Sequence, residues 1–220
     1  MAQATRSSHR SSYSDDPLEN VGHWIQDNAK PVGIGVGIVA IATAAIFVFR
    51  ASEESKRERA SVALYTAQAP LTEGKLPEAA TELQKVVQRY GNTSSGQQAA
   101  LMLAQVEYEQ GKFAEGIAAL EKARESASRE FEAPMEALIA AGYESTGDHV
   151  KAAEAYGRAA AAAVHELEKT QHEAAQARAL MAANRMDDAK AIWTRLGEDE
   201  TQPIAQEARV RLGEILGASK

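Results

Sequence analysis

AAGYESTGDHVKAAEAYGRA, residues 140–159, reads as two helices folded back on each other through a turn at Gly147-Asp148. A helix C-terminus favours glycine for the left-handed residue that reverses the chain. Ala140, seven residues before that glycine, and Ala152, five after it, are small enough to let two antiparallel helices approach. Tyr156, nine after it, is large and fills the space toward the next hairpin, and Ala159 follows twelve after.

The same order recurs on either side. Aligned on Gly74, Gly111, Gly147 and Asn184, the intervals are 37, 36 and 37 residues. Seven before the turn stand Ala67, Ala104, Ala140 and Ala177; five after stand Ala79, Gly116, Ala152 and Ala189. Nine after come Leu83, Leu120, Tyr156 and Trp193, and twelve after come Val86, Ala123, Ala159 and Leu196. A fixed period of this length is the mark of a helical-hairpin solenoid. The fold class expected is all-α, and the pattern spans residues 58–198. A single closing helix over 203–216, with Thr201 as its cap and Ile204, Ala208, Leu212 and Ile215 on one stripe, would cover the open end of the stack.

This pattern resembles the tetratricopeptide-repeat family, whose hairpins carry a small, small, aromatic order around a Gly-Asp or Gly-Lys turn. Gly147-Asp148 with Tyr143, Ala152, Tyr156 and Ala159 is the best match, and Gly111-Lys112-Phe113 is next. The outer repeats depart from the pattern: Pro70 stands near the end of the first leading helix, and Asn184-Arg185 replaces the glycine turn. Composition agrees with an all-helical domain, with 6 prolines, no cysteine and few aromatics.

Ahead of the repeats lies a different kind of sequence. Residues 1–14, rich in Ser, Thr and Arg without apolar periodicity, read as a disordered tail. Residues 15–30 read as a short interfacial helix: Asp16 as N-cap, Pro17 at the first helical position, Glu19 closing a capping box, and Leu18, Val21, Ile25 and Ala29 on one face beside Trp24. Pro31–Phe49, bounded by Lys30 and Arg50, carries no charge and one hydroxyl, Thr43. As a helix it reaches roughly 28 Å, close to the thickness of a bilayer's hydrocarbon core. The expected organisation is therefore one transmembrane helix over 31–50 followed by a repeat domain over 51–220. Gly33 and Gly37 have the spacing that lets two membrane helices meet closely. Arg50, Lys56, Arg57 and Arg59 outnumber Arg6, Arg10 and Lys30 by one, which favours a cytoplasmic repeat domain.

The charge balance narrows function. At net −7, with both signs interspersed along the helices, the chain lacks the basic face that nucleic acid requires. His149, His165 and His172 show no zinc-binding spacing, no nucleophile stands beside a base, and neither an enzyme nor a cofactor or small-molecule substrate is expected. In the family, positions ten, six and three before each turn often line an inner groove; here these are Leu64, Gln68 and Leu71, then Leu101, Gln105 and Tyr108, then Ala137, Ala141 and Glu144, then Ala174, Arg178 and Met181. Family members that clamp a partner's C-terminal carboxylate place lysine and asparagine at the first two, and no hairpin here does. The resemblance thus implies an apolar, adaptable groove for extended or helical polypeptide, including the chain's own closing helix; inter-repeat packing is the other role open to these side chains.

The order of tail, Trp-bearing helix, Asn28-Ala29-Lys30, membrane helix and repeats is also similar to the bacterial membrane-anchored subgroup that forms the ancillary subunit of the Sec translocon. That resemblance implies a bacterial inner-membrane protein crossing once, with tail in the cytoplasm and repeats in the periplasm, against the one-charge bias. It implies an adaptor for secreted or assembling polypeptides beside a translocon or chaperone network. A non-catalytic structural subunit of a large membrane complex, such as an energy-transducing one, is the alternative.

Overall fold

The computed structural model describes residues 21, 24, 28–199 and 201–218. The expected tail and the Asp16 capping box lie outside them, as does most of the interfacial helix; Val21 and Trp24 are helical and exposed. Every regular element described is an α-helix. The chain divides into two units, Met1–Glu54 and Ser55–Lys220, each taken by itself below.

The first unit contains most of helix α1, Ala29–Ala67. Pro31 sits within the first turn, where its missing N–H costs no hydrogen bond. Ile34, Val36, Ile38, Val39, Ile41, Ile46, Phe47, Val48 and Phe49 are all exposed, and this apolar stretch is long enough to cross a membrane by length and composition. The lone hydroxyl, Thr43, donates to the Val39 carbonyl at 2.8 Å and so satisfies itself inside the helix.

In the second unit, the end of α1 and the one-turn helix α2 (Ala69–Thr72) lead the first hairpin, and α3 (Leu76–Tyr90) trails it. The break at Gln68 follows from Pro70, which has no amide proton and crowds the preceding turn. Then come α4 (Ser94–Glu109) with α5 (Phe113–Arg124), α6 (Arg129–Ser145) with α7 (His149–Ala162), and α8 (Glu166–Ala182) with α9 (Met186–Glu198).

All four hairpins reverse in the same way. Gly74, Gly111, Gly147 and Asn184 have φ of 71°, 75°, 79° and 60°. At Gly111 the left-handed residue's amide donates to the Tyr108 carbonyl at 2.9 Å, and the next amide, of Lys112, donates to Glu107 at 2.8 Å. The pairs Gly74 with Lys75, Gly147 with Asp148, and Asn184 with Arg185 make the same two bonds. Asn184 therefore forms the turn that glycine forms elsewhere, because asparagine tolerates the left-handed region better than other side chains.

The small columns sit where helices touch. Ala67, Ala79, Ala104, Ala140, Ala152, Ala177 and Ala189 are all buried, and Leu83, Leu120 and Trp193 are fully buried. A Cβ at Gly116 would stand 2.5 Å from Tyr108 Cε1, so that column needs glycine there. The closing helix, α10 (Ala205–Ala218), begins two residues later than the sequence suggests and ends two later. Thr201 is not its cap: its amide and hydroxyl both donate to Asp199 Oδ1, at 3.0 and 2.6 Å. Ala208 and Ile215 of α10 join Trp193, Leu196 and Ala177 in one core.

Candidate functional site

The inner-groove positions are largely engaged within the chain. Leu64 is buried in the first core, with Leu71 packed at its margin, and Ala174 is buried in the last. Gln68 donates its amide to Met102 Sδ at 3.3 Å. Tyr108 is a wedge between the second and third hairpins: its hydroxyl donates to the Leu138 carbonyl at 3.1 Å, and its ring lies 5.5 Å from Phe113. Burial pushes the Tyr108 phenol well above its usual range, with the nearby Glu107 charge adding to the effect.

In the third and fourth hairpins the third position before the turn pairs with the large residue nine after it. Tyr156 Oη donates to Glu144 Oε2 at 2.8 Å, and Trp193 Nε1 donates to Met181 Sδ at 3.4 Å. Arg178 is exposed and donates to Glu207 of α10 at 2.7 Å, tying the last hairpin to the closing helix. Leu101 is half-buried against the second core, Ala137 and Ala141 are half-buried, and Gln105 is exposed. Gly33 and Gly37 have open space around them.

A second cluster joins the second and third hairpins, and it was not among the expected sites. Glu136, on α6, is 5 % exposed. Arg124 Nη1 at the end of α5 donates to its Oε1 at 2.6 Å, and Arg158 Nε on α7 donates to its Oε2 at 2.9 Å. One buried carboxylate thus joins three helices from two hairpins. Burying an ionised carboxylate is tolerated only when it is paired in this way. The next hairpin repeats half of it: Glu173 is buried and accepts from Arg195 Nη1 at 2.8 Å.

Two depressions open beside the Glu136 cluster. One, of about 440 Å³, is lined by Glu121, Arg124, Glu136, Tyr143, Lys151, Glu154 and Arg158. The other, of about 340 Å³, is lined by Arg124, Glu132, Glu136, Arg158, Ala161 and Ala162. On the rim, Tyr143 Oη donates to Glu121 at 3.2 Å, and Lys151 lies 5.2 Å above the Tyr143 ring while pairing with Asp148 at 2.9 Å. The hydrogen bonds from Lys151 hold the Asp148 carboxyl below its ordinary value.

The signal for this pair was present in the same alignment. Eleven residues after each turn the chain is basic, at Lys85, Lys122, Arg158 and Arg195; eleven before it stand Ala63, Ala100, Glu136 and Glu173. The acid is present only in the two hairpins where arginine replaces lysine. Columns shared by all four repeats do not reveal it, because it is a difference between repeats.

Comparison with known proteins agrees with this geometry. The nearly identical TPR-like repeats attributed to a kinesin light chain of Podosopora anserina superpose with a TM-score of 0.56 at 17% identity, over 74% of this chain and 88% of that one. BtubC (BKLC) from P. vanneervenii superposes with a TM-score of 0.53 at 17% identity, over 70% of this chain and 64% of that one. At such identity the likeness is one of fold. No match to a curated protein was found. The profile of the family described as tetratricopeptide repeat-like domain matches residues 22–140 and again 61–177, each more than half of the chain. With four like turns, small residues at each helix crossing and that profile over residues 22–177, the chain belongs to the tetratricopeptide repeat-like domain family.

Proposed function

We propose that this chain is a non-enzymatic adaptor, held at a bacterial inner membrane by one spanning helix, that contacts polypeptides through its repeats beside a translocon or chaperone network. The observation that carries the reading is the pairing of a repeat domain, a fold that generally binds other proteins, with an uncharged helical stretch along which the large apolar side chains from Ile34 to Phe49 are exposed. Such a stretch finds its apolar surroundings in lipid. The family profile begins at residue 22 and so takes in this stretch together with the repeats. On this reading the repeats face the periplasm, the tail lies in the cytoplasm, and Gly33 and Gly37 are where a second membrane helix would approach.

A second reading, a structural subunit fixed in a large membrane complex, draws on the engagement of Leu64, Tyr108 and Met181 within the chain, which leaves less apolar surface for transient clients. Photo-crosslinkers placed at Leu101 and Gln105 separate the two in living cells. Many polypeptides, captured only while synthesis continues, support the adaptor. One stoichiometric neighbour supports the subunit, and no protein product from any repeat position overturns both.

A further inference from the structure

We infer that the two depressions flanking Glu136 form a track for an extended polypeptide segment carrying an acidic side chain between two basic ones, at alternate positions. The inference rests on the adaptor reading and names the chemistry of its partner.

The middle of the track is cationic. Arg124 and Arg158 each make one hydrogen bond to Glu136, and the three groups together carry one net positive charge. Both arginines are partly exposed, at 37% and 46% of the side chain, so their remaining N–H groups are open to a carboxylate from outside. A guanidinium held in place by a buried acid is well suited to such a contact, since little side-chain freedom is lost on binding.

Each end offers a glutamate; Lys151 also lines the larger depression, but its ammonium is paired with Asp148 at 2.9 Å. Glu154 stands one helical turn before Arg158 on α7, and Glu132 one turn before Glu136 on α6. The two helices are antiparallel, so these glutamates lie on opposite sides of the arginines. The depressions agree: Glu154 lines only the larger one and Glu132 only the smaller, while Arg124, Glu136 and Arg158 line both. No hydrogen bond or ion pair engages Glu132 or Glu154 among the described residues, whereas Glu121 is taken by Tyr143. A helical turn rises about 5.4 Å, and alternate residues of an extended strand are about 6.6–6.8 Å apart on one face. A strand lying along the hairpin therefore matches a minus, plus, minus row with its own plus, minus, plus.

The row occurs once. In the last hairpin, Ala161, Lys169 and Ala191 take the places of Arg124, Glu132 and Glu154, although the Glu173–Arg195 pair is kept. In the second hairpin, Gly96, Ala100 and Ala118 stand where Glu132, Glu136 and Glu154 do.

The test is fluorescence anisotropy of a labelled, end-blocked peptide, Gly-Lys-Gly-Glu-Gly-Lys-Gly, with the full chain in neutral detergent micelles at low salt. Binding is expected to weaken about tenfold when the central peptide glutamate becomes glutamine, and by a similar factor with Glu154→Lys or Glu132→Lys. Exchanging one peptide lysine for glutamate is expected to restore binding to either variant. Circular dichroism of each variant checks that the helices stay intact around the half-buried Glu132 and the exposed Glu154. Absence of peptide binding, or binding indifferent to both substitutions and to the exchange, overturns the track. Crosslinkers in cells keep the two claims apart: polypeptides captured at Gln105 but not at Glu154 leave the adaptor standing and remove the track, whereas capture at neither removes both.

Discussion

Gly142→Ala tests the wedge that joins the second and third hairpins, and its sign can be worked out from the structure. A Cβ at Gly142 would meet Tyr108 Oη, stand 2.7 Å from Tyr108 Cζ and 2.8 Å from Ile117 Cγ1. The isoleucine carbon can turn aside; the tyrosine ring cannot, because its hydroxyl is bonded to Leu138 and its ring is confined near Phe113. Overpacking of this kind costs about 1–3 kcal/mol. Alanine in a helix interior is favoured over glycine by about 0.8–1 kcal/mol, which offsets part of the loss. The expected net effect runs from near zero to a loss of about 2 kcal/mol.

The same change on a Tyr108→Ala background meets no ring. There only the helical preference is left, and Gly142→Ala is expected to be neutral or to stabilise by up to about 1 kcal/mol. The two substitutions thus couple by at least about 1 kcal/mol, within the range seen for residues in contact. Urea unfolding of the four proteins in mild detergent, followed by far-ultraviolet circular dichroism, measures the cycle. If Gly142→Ala stabilised both backgrounds equally, Tyr108 would not be the wedge described here.

Three further outcomes follow from particular residues. Asn184→Ala is expected to destabilise by about 1–2 kcal/mol, since alanine resists the left-handed region, whereas Asn184→Gly is expected to match or exceed the native stability in the same unfolding assay. Glu136→Gln is expected to cost about 1–2 kcal/mol, a figure reduced for the solvent around its partly exposed arginines, and Glu173→Gln less, because it loses one arginine rather than two. Asp148, whose carboxyl is held below its ordinary value of 3.8, contributes stability that is present above that value and is lost as pH falls through the lower, folded one. Melting temperature measured against pH is therefore expected to fall less steeply below about pH 4 in Asp148→Asn than in the native chain.

Much of the fold was legible because its signals are local. A left-handed turn residue restricts the choice at Gly74, Gly111, Gly147 and Asn184, and a close helix crossing restricts it at Ala140 and Ala152; both restrictions repeat with the hairpin. The closing helix was less legible at its start, because Asp199 and Thr201 compete for the same turn and Asp199 is the acceptor. The inner-groove positions were legible as places on a helix, but which of them a neighbouring hairpin engages was not. Whether Tyr108 faces a ligand or a neighbouring hairpin depends on Gly142, which is 34 residues away in the chain. The Glu136 cluster was half legible. Arg158 stands 22 residues from it, a spacing repeated by Glu173 and Arg195, but Arg124 arrives from the preceding hairpin and shares no column with either.

The central claim is that a spanning helix places the repeats on the far side of the inner membrane from the tail. Because the chain has no cysteine, single cysteines can report this without background. Ser12→Cys in the tail and Lys112→Cys at the second turn are each exposed to a membrane-impermeant maleimide, in cells whose outer membrane has been made permeable. Labelling of Lys112→Cys in these cells, with Ser12→Cys labelled only after the inner membrane is dissolved, is the result expected. Equal labelling of the two before detergent, or release of the protein by alkaline carbonate alone, would contradict the account.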